Sequence, residues 1–245
     1  MELTSYKLEY QTLETPPGGL PVIVAAAGVS SRMQGINKLF APLCGVPILA
    51  KTLMALEASP DISRILVVTQ EKDIPAVQNL ADTYMITKLT DLLGGGATRQ
   101  ESVAKALARL APDEQDVLIH DGARPLIDPA TIHRVTTALQ EHVAVACGIP
   151  MTDTVKEIDR DGKVLSTPDR SRLLAVQTPQ GVRVPAYREA LEKAGDLSAF
   201  TDDLSIMEAA GHDVYTVAGS RRNIKITTPD DLALAEYYGN LEAEI

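Results

Sequence analysis

Short apolar runs alternate with amphipathic segments along most of the chain. The apolar runs predict strands at residues 22–27, 65–69, 84–87, 117–120, 143–149 and 214–217. The amphipathic segments predict helices at residues 48–58, 74–82, 99–110, 129–141, 185–194, 203–210 and 229–238. Because apolar strands that alternate with helices form parallel sheets covered on both faces, the pattern predicts an α/β fold with a mostly parallel sheet. Ligands of such sheets bind beyond the C-terminal strand ends, where we expect the loops after Ala27, Leu93 and His120 to meet.

The segment 152–177 breaks this alternation. Two β-type stretches, 154–158 and 163–166, flank the turn Asp159-Arg160-Asp161-Gly162. An Asp-Gly turn between such stretches predicts a β-hairpin. Because two strands alone are marginally stable in water, we expect this arm, at about residues 151–177, to pack against a second copy of the chain.

The length of 245 residues, with 45% apolar residues, is sufficient for one substantial core. We therefore predict a single domain over residues 21–240, which includes the arm. Residues 1–20 show weak periodicity and end in Pro16-Pro17-Gly18-Gly19. This composition predicts a poorly ordered extension or a loosely packed strap.

Charge and composition narrow the class of partner. The net charge of −10 argues against nucleic acid, which requires a basic face. No apolar run approaches the ~20 residues that cross a bilayer, so we expect no membrane span. The N-terminal sequence lacks a signal-peptide pattern, and Cys44 and Cys147 give no disulfide framework. These features predict a cytoplasmic location.

The first candidate binding motif follows the first predicted strand. This strand leads into Ala26-Ala27-Gly28, and Arg32 and Lys38 follow closely. Small residues leave backbone amides accessible to phosphate oxygens, and the two cations would neutralise the charge of a polyphosphate. The alternative is a tight turn with two solvated cations. Positions 28, 30 and 33 are Gly, Ser and Met, and no Gly-Lys-Ser/Thr occurs, so dinucleotide and P-loop fingerprints are absent.

A second motif is Gly94-Gly95-Gly96, which precedes the predicted helix at 99–110. Without Cβ atoms, a nucleotide base can lie against this backbone while amides read its edge. The alternative is a flexible turn, in which Thr98 caps the helix and Glu101 completes a capping box.

Charged residues mark three further segments. Asp121, at a strand end beside Arg124, is suited to hold Mg²⁺ or a substrate hydroxyl, or else forms a turn-stabilising ion pair. Thr201-Asp202-Asp203 predicts a helix start capped by Thr201, with a two-carboxylate metal site as the alternative. Lys225 lies among apolar neighbours in a predicted short strand, which favours an anionic partner such as phosphate.

Seven motifs in order resemble one family. They are AAGVSSRM…NK, GGGATRQESV, HDGARP, PMTDT, TPDRSRLLAVQTPQ, FTDD and NIKITTPDDL. This set is similar to the 2-C-methyl-D-erythritol 4-phosphate cytidylyltransferases of the non-mevalonate isoprenoid pathway, over about residues 22–238. Ser30 replaces a glycine of the family loop, and Asn37-Lys38-Leu39 stands for Pro-Lys-Gln.

The resemblance implies both a reaction and a fold. CTP and 2-C-methyl-D-erythritol 4-phosphate would give 4-diphosphocytidyl-2-C-methyl-D-erythritol and pyrophosphate, with Mg²⁺ as the cofactor. The fold would be a Rossmann-like, GT-A-like nucleotidyltransferase of three layers. Its inserted β-hairpin arm would form a homodimer.

The resemblance also assigns roles to residues. Ala26, Ala27 and Gly28 would hold the nucleotide, Gly96 and Ser102 would recognise cytidine, Arg32 and Lys38 would grip the triphosphate, and Lys225 would stabilise the α-phosphoryl group. Asp121, Arg124, Thr178 and Thr201 would hold the methylerythritol phosphate, while Thr154 and Arg170 would act in the partner's site. Two alternatives stay open: cytidylyl transfer to another polyol phosphate such as ribitol 5-phosphate, and a non-catalytic nucleotide-binding regulator.

Overall fold

A seven-stranded sheet forms the centre of the protein, whose computed structural model describes residues 18–28 and 38–243. In sheet order the strands are β11 (Tyr215–Ala218), β7 (Ala144–Pro150), β10 (Leu174–Arg183), β6 (Asp116–Asp121), β1 (Leu20–Ala26), β4 (Ile62–Thr69) and β5 (Leu89–Gly94). Only β10 runs antiparallel to its neighbours, β6 and β7. The sheet is therefore mostly parallel, as predicted.

Helices cover both faces of the sheet. They are α1 (Ile48–Ala58), α2 (Ile74–Thr83), α3 (Arg99–Leu107), α4 (Pro129–Leu139), α5 (Val184–Lys193), α6 (Asp203–Ala209) and α7 (Pro229–Ala243). All seven predicted helices are confirmed within a few residues at each end. Pro129, Pro185 and Pro229 lie in the first turns of their helices, where no backbone N–H donor is needed.

Alternation along the strands builds two cores. Val22 and Val24 of β1 pack with apolar residues of α1, α2 and α4. Ile23 lies between them on the strand and packs on the opposite face with α3, α5 and α6. Because successive side chains of a strand point to opposite faces, one apolar run supplies both cores. The result is the predicted three-layer architecture.

In the main sheet, one predicted strand was misplaced and one strand was not predicted. Residues 84–87 form a turn in which Met85 has φ 52°, and the edge strand β5 begins later, at Leu89. The missed strand is β10, where Gln177, Thr178 and Gln180 are buried although their sequence resembles that of a loop. Polar residues are accommodated in this strand because partners from neighbouring segments satisfy them.

Two strand pairs lie outside the main sheet. β2 (Pro42–Leu43) pairs with β3 (Val46–Pro47), just before α1. β8 (Glu157–Ile158) pairs with β9 (Val164–Ser166), which confirms the predicted hairpin. Since β10 begins at Leu174, the last residues assigned to the arm belong to the main sheet. In the described part of the chain, no helix is long and apolar enough to span a bilayer.

Candidate active site

The C-terminal ends of β1, β4, β5 and β6 meet at one edge of the sheet, as predicted. Ala25 of β1 lies in register with Asp121 of β6, and the N–H of Gly122 donates to the carbonyl of Ala25 at 3.0 Å. On the other side of β1, the N–H of Gly95 donates to the carbonyl of Thr69 at 2.8 Å. These bonds bring the loop after β6 and the glycine loop after β5, both predicted to bind a ligand, to the same edge of the sheet near the end of β1.

Asp121 lies at the centre of a cluster of cations. Its Oδ1 accepts from Nε of Arg99 at 3.2 Å, and its Oδ2 lies 3.3 Å from Nε of Arg124 and 3.0 Å from Nζ of Lys225. The side chain of Asp121 is only 8% exposed, whereas that of Lys225 is 41% exposed. One carboxylate thus gathers three cations, and at least one of them faces solvent.

The environment of Asp121 has opposing effects on its pKa. Burial raises the pKa, but the charges of Arg99, Lys225 and Arg124 outweigh burial and hold it well below its usual range. Asp121 is therefore ionised at neutral pH. Arg99 also pairs with Asp203, so the charges of Arg124 and Lys225 exceed that of Asp121 by one, which suits the site to phosphate.

Lys38 and Lys225 are brought to this edge by one loop between β11 and α7. Nζ of Lys38 donates to the carbonyl of Ile226 at 2.9 Å, and the N–H of Ile226 donates to the carbonyl of Ala123 at 2.9 Å. The predicted strand around Lys225 is wrong, because this loop has no regular structure. In this structure Nζ of Lys225 lies 3.0 Å from the carboxylate of Asp121, and a phosphate partner for Lys225 stays a prediction.

The glycine loop is closed by hydrogen bonds from α3. The N–H of Gly96 donates to Oγ of Ser102 at 3.0 Å, and the N–H of Ala97 donates to Oε2 of Glu101 at 2.8 Å. Thr98 caps α3 by accepting from the N–H of Glu101, as predicted, but Glu101 accepts from Ala97 and not from Thr98, so the predicted capping box is not formed. Because the N–H groups of Gly96 and Ala97 already have acceptors, they are not available to donate to a nucleotide base. The prediction that loop amides read the base therefore applies only to the other amides of the loop.

Close packing explains two of the glycines. A Cβ on Gly95 would lie 2.5 Å from the Cβ of Ala27, and one on Gly96 would lie 2.5 Å from the Cβ of Glu101. A side chain on Gly95 would push this loop away from Ala27, and a side chain on Gly96 would push it away from α3. Ala27, in the first candidate motif, and Gly95, in the second, are therefore direct neighbours.

A cavity of about 250 Å³ opens beside Asp121. It is lined by Arg99, Asp121, Arg124, Val176, Gln177, Thr178, Gln180, Thr201, Asp202 and Lys225. Four of the predicted site residues, Asp121, Arg124, Thr178 and Thr201, thus face one cavity together with Lys225. Its polar and charged walls suit a small, hydroxylated anion.

His120 and Thr178 form a buried hydrogen-bonded pair behind Asp121. Nε2 of His120 lies 3.3 Å from the carbonyl of Arg124, and Nδ1 lies 3.0 Å from Oγ1 of Thr178. Burial lowers the pKa of His120 to about 4, so the ring carries one proton. Since a carbonyl only accepts, that proton is on Nε2, and the hydroxyl of Thr178 donates to Nδ1. The same hydroxyl accepts from the N–H of Asp121 at 3.0 Å, which fixes the strand end.

The segment before α6 corrects one sequence prediction. Asp202, not Thr201, caps α6, because Oδ1 of Asp202 accepts from the N–H of Ser205 at 2.9 Å. Gln180 donates to Oδ2 of Asp202 at 2.8 Å. Asp203 instead accepts from Tyr187 and Arg99. Both carboxylates therefore face N–H and O–H donors, which is not the arrangement of a metal pair.

Comparison with known proteins identifies the family. The family model for 2-C-methyl-D-erythritol 4-phosphate cytidylyltransferase matches residues 20–240. This chain belongs to that family. The relative of this name from Bacillus mycoides is 42% identical over 220 residues, covering 89% of this chain and 96% of the relative. The relative from Acaryochloris marina is 40% identical over 217 residues, covering 88% and 92%.

Solved structures of cytidylyltransferases of this family share the fold. The 4-diphosphocytidyl-2C-methyl-D-erythritol synthase of Anaerococcus prevotii has a TM-score of 0.81 and 29% identity, covering 91% of this chain and 97% of that one. The 2-C-methyl-D-erythritol 4-phosphate cytidylyltransferase of Thermus thermophilus has a TM-score of 0.74 and 31% identity, covering 91% and 99%. The predicted family and fold class are confirmed.

Several predicted residues of this cytidylyltransferase lie outside the cavity. Ala26 is the last residue of β1, and Ala27 and Gly28 follow it, with Ala27 beside the glycine loop. Arg32, like the departures Ser30 and Asn37, lies outside the described residues. Thr154 and Arg170 are exposed on the arm, where Nη1 of Arg170 donates to the carbonyl of Thr152 at 2.6 Å. Their predicted role in a partner's site stays a prediction.

Two residues of the site were missed by the sequence reasoning. Arg99 was assigned no role from the sequence, although it contacts Asp121 directly. Gln180 was read as part of a loop, yet it holds both Asp202 and Asp203. The signal for Arg99 was its position one residue after a helix cap that follows three glycines, where a side chain reaches over the strand ends.

A metal ion in this part of the molecule would need ligands from a substrate as well as from the protein. Among residues 18–28 and 38–243, no group of three or more His, Cys, Asp or Glu side chains is arranged to hold one. Asp121, the predicted ligand, already faces three cations. Mg²⁺ commonly binds through one or two carboxylates and the substrate's phosphates. A preformed protein site for Mg²⁺ is therefore not part of the described structure.

Proposed function

We propose that this chain transfers the cytidylyl group of CTP to 2-C-methyl-D-erythritol 4-phosphate, with release of pyrophosphate. The observation that carries the proposal is the cluster of Arg99, Arg124 and Lys225 around Asp121, at the sheet edge that also holds the glycine loop and Lys38. Phosphate groups of two substrates would meet there. The family to which the chain belongs supplies the identity of the substrates.

The reaction joins two anions, so charge is the main obstacle. An oxygen of the acceptor phosphate would attack the α-phosphorus of CTP in line, and the bond to pyrophosphate would break. Such transfer depends on positioning and on stabilising developing negative charge. Lys38, Lys225 and Arg32 are the proposed source of that charge. Lys225 is suited to this role because it is both exposed and held by Asp121.

Nucleotide recognition is proposed for the neighbouring loops. Ala26, Ala27 and Gly28 would lie along the triphosphate, and Gly96 with Ser102 would face the base. Support comes from the contact of Gly95 with Ala27, which joins both loops into one surface. A narrow slot formed by glycines would favour a pyrimidine over a purine.

The acceptor would occupy the cavity beside Asp121. The guanidinium of Arg124 would bind the phosphate of the acceptor. The carboxylate of Asp121 would accept a hydrogen bond from one of the acceptor's hydroxyl groups. Thr201 borders the same cavity. Thr178 also borders it, but its hydroxyl proton is directed to His120, so Thr178 would contribute by shape and by accepting a hydrogen bond.

Mg²⁺ is proposed to accompany CTP. The triphosphate would provide most of its ligands, because the described residues offer no preformed cluster. Asp121, which borders the acceptor cavity at the sheet edge, is the proposed protein ligand. The ion would supply additional charge neutralisation.

A homodimer formed through the arm is the proposed assembly. Ile158, Val164 and Leu165 of the hairpin are 57%, 51% and 56% exposed, respectively. Because large apolar side chains on a two-stranded hairpin gain stability only when covered, a partner subunit is the proposed cover. Thr154 and Arg170 would then enter the partner's site. The cytoplasm stays the predicted compartment, from the cysteine content.

Pyrophosphate release tests the proposed function. Purified chain is incubated with Mg²⁺, each of CTP, ATP, GTP and UTP, and either 2-C-methyl-D-erythritol 4-phosphate or ribitol 5-phosphate. We expect release only with CTP and the methylerythritol phosphate. Turnover with ribitol 5-phosphate alone would favour the second acceptor. Binding of CTP without turnover in any combination would favour the non-catalytic regulator.

A further inference from the structure

Arg99 is held between two carboxylates on opposite sides. Its Nη1 donates to Oδ2 of Asp203 at 2.6 Å, and its Nε donates to Oδ1 of Asp121 at 3.2 Å. The side chain of Asp203 has no exposed surface, whereas Asp121 borders the acceptor cavity. The guanidinium therefore connects a carboxylate of the interior with a carboxylate of the proposed active site.

Asp203 is itself fixed by two groups from other elements. The hydroxyl of Tyr187, on α5, donates to Oδ1 of Asp203 at 2.7 Å. The N–H of Asp203 donates to Oε1 of Gln180, on β10, at 3.1 Å. Tyr187 is completely buried. A continuous chain of hydrogen bonds thus runs from Tyr187 through Asp203 and Arg99 to Asp121.

We propose that Asp203 and Tyr187 are positioning residues for cytidylyl transfer, which act by holding Arg99 against Asp121. This inference rests on the proposed function of the site. Neither residue is among those that border the cavity. Because Asp203 balances the charge of Arg99, Arg99 orients Asp121 while Asp121 keeps its contacts with Lys225 and Arg124. Without Asp203, Arg99 would place a full uncompensated charge on Asp121 and disturb all three contacts.

The geometry requires arginine at this position. A guanidinium presents several N–H donors in one rigid plane, so two of them can address two carboxylates at once. Arg99 also begins α3, whose Ser102 and Glu101 close the glycine loop. The chain through Arg99 therefore links the nucleotide loop to the acceptor cavity.

A double-mutant cycle in the full-length protein tests the inference. The variants are Asp203→Asn, Arg99→Ala, their combination, and Tyr187→Phe. The matched control is Asp116→Asn, which breaks a different Asp–Arg pair, with Arg183 at 3.3 Å, at the opposite end of β6. The readouts are kcat and KM for each substrate in the pyrophosphate assay, with melting temperature measured alongside.

Action through Arg99 predicts a specific pattern. Asp203→Asn lowers kcat/KM for the acceptor by about tenfold, with KM for CTP changed less than about threefold, because misplacing one group impairs the reacting geometry. Tyr187→Phe has the same pattern with a smaller effect. In the Arg99→Ala background, Asp203→Asn adds less than about twofold, since coupled residues are not additive. The control keeps wild-type kinetics.

The results that would overturn this inference differ from the result that would overturn the proposed function. Multiplicative effects of Asp203→Asn and Arg99→Ala, or a fall in melting temperature with unchanged kinetics, would overturn the inference alone. Should Asp203→Asn fail to fold, Tyr187→Phe and its combination with Arg99→Ala decide the same question. Absence of turnover in the wild type would instead overturn the proposed function, and the inference with it.

Discussion

The acceptor cavity and the hairpin arm are opposites in how they are stabilised. Around the cavity, His120, Asp121 and Thr178 are buried and joined by hydrogen bonds within one chain. Along the arm, the residues of β8 and β9 are all exposed, and their contacts are mostly those of a turn with itself. These three residues beside the cavity find hydrogen-bond partners within the described chain, whereas the hairpin of the arm has no buried core of its own.

The fold of one subunit positions the charged residues of the cavity, whereas dimer assembly would be needed to position the residues of the arm. Charges at the cavity are placed by the rigid sheet edge, because Asp121 ends a central strand and Ala123 holds the loop with Lys225. The positions of Thr154 and Arg170 depend instead on a hairpin with little support of its own. Mutations at the cavity should therefore impair single subunits, and mutations on the arm should act between subunits.

The largest expected effect is the loss of either lysine proposed to stabilise the charge of the transferred phosphoryl group. Lys225→Ala or Lys38→Ala should lower kcat by about 10²- to 10³-fold, because a charge that stabilises the transition state is removed. The pyrophosphate assay measures it. Lys88→Ala is the matched control, since Nζ of Lys88 also donates to a backbone carbonyl, that of Ser59, at 2.7 Å. Near-normal turnover of both active-site variants would refute the proposed charge stabilisation.

Hybrid dimers test the arm side of the comparison. If arms are exchanged, mixing inactive Arg170→Ala subunits with inactive Lys38→Ala subunits creates heterodimers with one intact site each. Random exchange should restore about one quarter of wild-type activity. Turnover is measured after co-refolding, with each variant refolded alone as the control. No recovery, despite heterodimers detected by mass, would contradict an arm that enters the partner's site.

Replacement of the central anion should destabilise the cavity. Asp121→Asn leaves Arg99, Arg124 and Lys225 close together without their common partner, and we expect a loss of about 2–4 kcal/mol in the free energy of unfolding. Because the folded pKa of Asp121 lies below its unfolded value, its contribution is present above about pH 4 and is lost as the pH falls further. Denaturant titrations at several pH values measure both. Equal stability of variant and wild type at pH 7 would refute the role of Asp121.

A smaller effect concerns the protonation of His120. Its folded pKa, lowered to about 4 by burial, lies below the unfolded value. Between those values the unfolded chain takes up a proton that the folded chain does not, so stability falls by up to about 3 kcal/mol from pH 6.5 to pH 4. Imidazole NMR shifts should show His120 neutral throughout pH 5–8. A titration near pH 6.5 would contradict the buried pair with Thr178.

The sequence predicted most elements because their patterns are local. Strand β1 and helix α1 follow from apolar runs and periodicity, and the hairpin follows from Asp161-Gly162. Strand β10 was missed because its polar residues, such as Gln177, are satisfied only by distant groups, here the carbonyl of Ser220 at 2.9 Å. Strand β5 was misplaced because an edge strand is only partly buried, so its pattern is mixed.

The candidate site shows the same division. The motifs around Asp121 and Lys225 were found because each carries unusual residues in a short span. Arg99, Tyr187 and Asp203 form one chain although they are distant in sequence, and Tyr187 belongs to an ordinary amphipathic helix. No local pattern distinguishes such a tyrosine from a core residue. Long-range hydrogen bonds of this kind appear only in the folded structure.

The central claim is that Lys225, which is held by Asp121, and the neighbouring Lys38 receive the phosphates of CTP. A crystal structure with CTP and Mg²⁺ tests it most directly. We expect phosphate oxygens within about 3 Å of Nζ of Lys38 and Lys225, with the base against Gly95 and Gly96. CTP bound elsewhere, with both lysines directed away from its phosphates, would contradict the account.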